Sequence, residues 1–118
     1  METEDKSPIK ECGKAILAIH DAMDILSGKW KISIIACLCF DIMRYTDLLN
    51  KVTGISGKML SRELKELEVN GLITRTVQNT QPVTVEYEIT KYGATLKNVT
   101  QVLANWGTEH RKKMNNKT

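Results

Sequence analysis

The alternation of apolar and polar positions is most informative between residues 46 and 89. Over 56–70, Leu60, Leu64 and Leu67 recur at i, i+4 and i+7, which places them on one side of a helix. Ser56, Lys58, Met59, Ser61, Arg62 and Lys65 fall largely elsewhere on its circumference, toward the N-terminal half. A shorter helix over 46–52 precedes it, with Thr46 as N-cap and a tight turn at Thr53-Gly54-Ile55. Asn70-Gly71 closes the longer helix, because either residue tolerates a left-handed backbone. Ile73, Arg75 and Val77 then alternate with Thr74, Thr76 and Gln78, and Val83, Val85, Tyr87 and Ile89 with Thr84, Glu86 and Glu88. Period-two patterning on both sides of 79–82 predicts a hairpin, with Pro82 at the edge of its loop. Helix, turn, helix and hairpin in that order make a winged helix-turn-helix, a fold of mainly α class with a small β wing.

The flanks extend this unit. Residues 11–26 predict a helix that is apolar over two stripes, Ile16, Ile19, Met23 and Leu26 on one and Ala15, Ala18, Ala22 and Ile25 on the next. A surface helix needs one stripe, so the surplus predicts one side packed on its own domain and the other on a second copy of the chain. Ser27-Gly28 ends it, and residues 30–40 form the central core helix, with Ile32, Ile34, Ile35, Ala36 and Leu38. Residues 41–45 read as extended, with room for a small strand beside the hairpin. After Thr90, a further N-cap, one long helix runs to about residue 114. Its Tyr92, Leu96, Val99, Leu103 and Trp106 make a seam for packing along another helix, and so for a homodimer. The expected organisation is one domain over 11–114 between flexible tails, 1–10 and 115–118.

At 118 residues, with 42% hydrophobic and 26% charged residues, a single modest core is expected. A net charge of +3 permits a nucleic-acid partner without demonstrating one. The placement of charge is more telling. Polar and basic residues occupy the end of 56–70 that would reach base edges, whereas Glu63, Glu66 and Glu68 belong on the flank away from phosphate. Lys58, Arg62 and Lys65 are read as contacts to double-stranded DNA rather than a solvated face, with Ser56, Met59 and Ser61 as weaker candidates and Met59 equally suited to the core. Arg44, Thr46 and Lys51 are candidates for the backbone, with simple surface charge as the other reading of Arg44 and Lys51. Asn79 and Gln81 at the uncharged wing tip suit a light touch.

No apolar run approaches the ~20 residues of a membrane helix, and the three cysteines suit a reducing, cytoplasmic setting. Cys12 lies near a helix start between Lys10 and Lys14, which favours a reactive thiol; an inert thiol at a dimer interface is the alternative. Cys37 and Cys39 project in different directions from one helix and read as small buried apolar residues. His20 and His110 lack ligand spacing, so no metal site or cofactor is implied. Trp30, Tyr87 and Trp106 read as packing. No nucleophile–base pair, acid pair or phosphate loop can be assembled, which argues against an enzyme.

Several ordered blocks resemble the HxlR-type bacterial regulators. They are Ser27-Gly28-Lys29-Trp30, Arg44-Tyr45-Thr46-Asp47-Leu48, Gly54-Ile55-Ser56-Gly57-Lys58-Met59-Leu60, Leu64-Lys65-Glu66-Leu67-Glu68, Gly71-Leu72-Ile73-Thr74-Arg75, Val85-Glu86-Tyr87-Glu88-Ile89-Thr90, Gly93 and Trp106-Gly107. The similarity runs from about residue 12 to 110. It implies a dimeric DNA-binding transcriptional regulator, repressor or activator, that joins through its first and last helices and binds an inverted-repeat operator. Some look-alikes sense oxidants or electrophiles through a cysteine near the N-terminus, where Cys12 falls. A protein-binding winged helix, and a regulator answering a small molecule without thiol chemistry, are the competing readings.

Overall fold

The computed structural model describes residues 7–116. Its first helix, α1 (Pro8–Ile25), starts three residues before the expected position. The reason is local: Ser7 accepts a hydrogen bond from the Lys10 N–H at 3.3 Å, and Pro8 occupies the first helical turn. Residues 8–10 are therefore helical rather than tail, while 1–6 and 117–118 lie outside the described residues. The sequence reading holds only at the C-terminal end, where Ile25 packs on the core and Leu26, the C-cap, is buried in it; the rest of both stripes turns away from its own domain. None of its residues is buried, and Ile16, Leu17, Ile19 and Met23 are all exposed.

Gly28, at φ +83°, reverses the chain into α2 (Lys31–Phe40), which buries Ile34, Ile35 and Leu38 at the centre of the core. Strand β1 (Met43–Arg44) then leads into α3 (Tyr45–Lys51). The cap falls on Arg44, not Thr46: the Arg44 N–H donates to the Asp47 carboxylate at 3.0 Å, which draws Tyr45 and Thr46 into the first turn. Gly54, at φ +90°, makes the turn into α4 (Gly57–Val69), which buries Leu60, Leu64 and Leu67 as their spacing predicts.

Strands β2 (Ile73–Gln78) and β3 (Thr84–Ile89) pair antiparallel from Ile73 opposite Ile89 to Gln78 opposite Thr84. The expected small strand is present: β1 joins the free edge of β3, with Met43 opposite Tyr87, for a sheet order β1-β3-β2.

The single helix expected after Thr90 is instead two, α5 (Lys91–Ala94) and α6 (Lys97–Asn115). Gly93 explains the break. It lies against the Leu72 carbonyl so closely that a Cβ there would sit 2.1 Å from the oxygen. Thr90 locks the same corner, its hydroxyl donating to the Gly71 carbonyl at 2.7 Å and accepting from the Gly93 N–H at 2.9 Å. With α5 fastened to the start of β2, the chain turns through three-residue bonds, Thr95 N–H to Tyr92 O and Leu96 N–H to Gly93 O, before α6 leaves along α2. Tyr92 is thereby separated from the expected seam. Leu96 packs on the core of its own domain, whereas Val99, Leu103 and Trp106 stay exposed.

One polar contact crosses the core. Lys31, at the start of α2 and 3% exposed, forms ion pairs with Glu63 and Glu66 on α4 and also reaches the Ser27 carbonyl at 3.4 Å. Glu63, expected on the flank away from phosphate, is buried; apart from Lys31 no donor among the described residues reaches its Oε2. Burial pulls the Lys31 pKa down, but hydrogen bonding and the charges of both glutamates outweigh it and hold it above the ordinary value. Hydrogen bonding to Lys31, reinforced by its charge, holds Glu66 below the usual carboxylate value.

Two stability outcomes are expected. Gly93→Ala should destabilise the fold by roughly 3 kcal/mol in urea unfolding, since carbonyl backbone cannot yield as a side chain does. Lys31→Met should cost about 3 kcal/mol near neutral pH, because it leaves Glu63 buried with no counter-charge. For Glu66, with a lowered folded pKa, the wild-type advantage is present above about 4.5 and lost as pH falls through that lowered value. For Lys31, with a raised folded pKa, it is complete below about 10.5 and lost as pH rises through the raised one. Unfolding curves of the two proteins that stayed equally far apart in strong acid would count against this account.

Candidate nucleic-acid interface

Helix α4 is positioned by its buried side, and what remains outward is basic and polar. With 100° between successive residues, Lys58, Ser61, Arg62 and Lys65 fall opposite Leu60, Leu64 and Leu67, and all four are exposed. Thirteen residues make this helix about 20 Å long, enough to follow a major groove through one exposure. The four side chains are not equivalent. Arg62 lies against Glu66, Nε to Oε1 at 3.5 Å, which offsets part of its charge, whereas Lys58 and Lys65 have no such partner among the described residues. Met59 does not belong to the face: it is half-buried and packs on the core. Ser56 is the helix cap, its hydroxyl accepting from the Met59 N–H at 3.1 Å.

The first turn of α4 is tied to α3 by Tyr45, a residue whose role the sequence pattern did not reveal. Its phenol donates to the Gly57 carbonyl at 2.9 Å and accepts from the Ser61 hydroxyl at 3.3 Å. A side chain at Gly57 would bring a Cβ to 3.0 Å from that phenol oxygen. Beside this contact runs an open groove of about 390 Å³, lined by Tyr45, Ser61, Lys65, Glu68, Arg75, Val85 and Tyr87. Arg75 was also missed. The available signal was a charge in the otherwise apolar row Ile73-Arg75-Val77, which needs either water or a ligand; the residue is exposed.

The other candidates lie around this centre. Thr46 is exposed in the first turn of α3 and Lys51 in its last. Arg44 shares one surface hollow with Thr46 and another with Gln78, Gln81 and Glu86, so it lies between α3 and the wing base. Asn79 and Gln81 are exposed at the tip, which Thr80 closes by donating to the Pro82 carbonyl at 2.8 Å. Gln78 donates to Glu86 at 3.1 Å, so the base of the wing carries a carboxylate as well as Arg44.

Of the three cysteines only Cys12 is exposed. It lies a turn inside α1, beyond the free N–H groups of the helix start, and neighbouring Lys14 pairs with Glu11 at 3.9 Å. Cys37 and Cys39 are half-buried rather than fully buried. Burial pushes both thiols up, with Lys51 and Lys97 respectively opposing it. Trp30 is half-buried on the core under the Lys29 ammonium, 4.6 Å from the ring centroid; Trp106 stacks on His110 at 5.3 Å. Among the described residues no three of His, Cys, Asp or Glu gather as a metal site, and no helix is long and apolar enough to cross a membrane.

Known proteins share this arrangement. The HTH-type transcriptional regulator YtcD of Bacillus subtilis is 35% identical over 94 residues, which span 80% of this chain and 75% of YtcD. A structure described as a transcriptional regulator of the MarR family from Porphyromonas gingivalis W83 superposes with a TM-score of 0.72 at 31% identity, covering 92% of this chain and 97% of that one. The redox regulator HypR in its reduced form superposes with a TM-score of 0.75 at 27% identity, covering 85% and 99%. The family description HxlR-like helix-turn-helix matches residues 25–115, through the whole winged unit and α6. The chain belongs to the HxlR-like helix-turn-helix family.

Proposed function

We propose that this protein is a DNA-binding transcriptional regulator, not an enzyme, that sets α4 in the major groove of double-stranded DNA and acts as a homodimer on an inverted-repeat operator. The observation that carries the reading is the outward face of α4, where Lys58, Ser61, Arg62 and Lys65 stand together opposite the buried row of Leu60, Leu64 and Leu67. A face of that composition favours phosphate and base edges over a protein surface. The two-fold is supported by α1 and α6, whose Ile16, Ile19, Met23, Val99, Leu103 and Trp106 no other described residue covers. A role for Cys12 in sensing oxidants or electrophiles is part of the proposal, supported by its exposure on α1 and by likeness to a redox regulator.

Selection of bound duplexes from a random pool tests the DNA reading. The wild type should enrich an inverted repeat with half-sites about one helical turn apart. Lys58→Ala should weaken binding to it and lower the salt slope by about one. Arg62→Ala should do less, because Glu66 already offsets that guanidinium. Binding without sequence enrichment, equal in wild type and Lys58→Ala, would leave only general charge attraction and favour a protein partner instead.

Sensing is tested separately by release from the enriched duplex on diamide treatment. Cys12→Ser should bind as the wild type does when reduced and stay bound when treated. Release that persists in Cys12→Ser would remove Cys12 from the account and favour a regulator responding to a small molecule.

A further inference from the structure

We infer that Ser61 reads the operator as a hydrogen-bond acceptor, its polarity set by Tyr45, and so selects an amino-bearing base, adenine or cytosine, on the strand it faces. The inference rests on the DNA-binding reading above and deepens it.

The argument is one of proton counting. A phenol has one proton and a backbone carbonyl has none. Tyr45 gives its proton to the Gly57 carbonyl at 2.9 Å, so toward any other neighbour its oxygen can only accept. The neighbour at 3.3 Å is the Ser61 hydroxyl, which must therefore be the donor. Ser61 has a single proton too, and with it turned inward the hydroxyl presents lone pairs alone to the solvent side of α4, where Ser61 is exposed. A serine of unconstrained rotamer reads either kind of base edge, which is why it carries little specificity by itself. Here the chain Ser61 to Tyr45 to Gly57 removes that freedom. In the major groove the exocyclic donors are adenine N6 and cytosine N4, and guanine O6 and thymine O4 face an acceptor with an acceptor.

The packing supports a fixed rather than incidental chain. Tyr45 is half-buried where α3 meets α4, and the absence of a side chain at Gly57 leaves the phenol its place, since a Cβ there would stand 3.0 Å from it. Ser61 and Tyr45 also line the same groove as Lys65 and Arg75, two cations suited to the flanking phosphates, and as Glu68, which stands in this groove rather than on the flank away from phosphate where its charge predicts it. Tyr45 is thus a positioning residue: it acts on DNA through Ser61.

The test compares selected sites for wild type, Ser61→Ala and Tyr45→Phe, each first matched for thermal unfolding. Ser61→Ala should erase the preference at one position of each half-site, and in the wild type that position should favour adenine or cytosine over guanine or thymine by about three- to tenfold, the worth of one hydrogen bond. Tyr45→Phe should flatten the same position and leave the others unchanged, an effect that general loosening of α4 would not produce. A wild-type preference for guanine or thymine there, no position altered by Ser61→Ala, or an intact preference in Tyr45→Phe would each overturn the inference with DNA binding still standing. Failure of the wild type to enrich any site would instead overturn the DNA-binding reading, and this inference with it.

Discussion

Everything that α4 presents outward depends on how its inner side is held, and the contact that fixes it is Lys31. A leucine row alone tolerates small rotations and slides, because apolar contact has little direction. The Lys31 ammonium adds direction: it meets Glu63 and Glu66, one turn apart on α4, from a fixed place at the start of α2. Burial of Glu63 would be costly without it. A rotation of α4 would withdraw that carboxylate from its only cation while leaving it out of water. The same contact holds Glu66 between Lys31 on the inner side and Arg62 on the outer one.

The domain behind this helix is small, and the chain as a whole is not compact. Its radius of gyration is 18.2 Å, against roughly 13–14 Å for a globular chain of this length, and its extents are 65 × 53 × 22 Å. The excess comes from α1 and α6, long helices that extend beyond a core made by α2, α3, α4 and the sheet. Their exposed apolar residues have the composition of an interior without its surroundings. The fold therefore combines a winged unit with two long helices, of which α6 packs along α2 at Leu96 and Thr100 while the outer apolar residues of both stay uncovered among the described residues.

How much of this could be read from sequence follows the distance over which each signal acts. The leucine row of α4, the alternation in β2 and β3 and the glycines at 28, 54 and 71 are local, and each was legible. The small strand β1 was foreseen because a short extended piece beside a hairpin has few other places to go. Where reading failed, the cause was in most cases a partner distant in the chain. Gly93 resembled an ordinary helical residue until the Leu72 carbonyl was placed against it. Glu63 was placed away from phosphate by its charge alone, and only Lys31, across the core, explains why it is also buried. Tyr45 was taken as extended, while its role depends on Gly57 and Ser61 in the next helix. Thr46 lost the cap because Asp47 reaches back to the Arg44 N–H, a competition between neighbours that residue preference alone does not decide.

The position of Cys12 also limits how chemistry there could reach DNA. Helix α1 touches its own domain only at its C-terminal end, through Ile25 and the capping Leu26, whereas Cys12 lies more than three turns away in the exposed part of the helix, with no direct packing toward α4 in the same protomer. Cys37 and Cys39 are the reverse case, on the core helix that carries Lys31, but half-buried and with their thiols pushed up. The exposed thiol and the coupled thiols are thus different residues. Leverage from Cys12 has to pass through the surface that covers α1, and in a two-fold dimer that surface sets the distance and angle between two α4 helices. Half-sites one helical turn apart demand that spacing within a few ångströms. A change confined to α1 could therefore abolish simultaneous contact by both reading helices while leaving each winged unit intact.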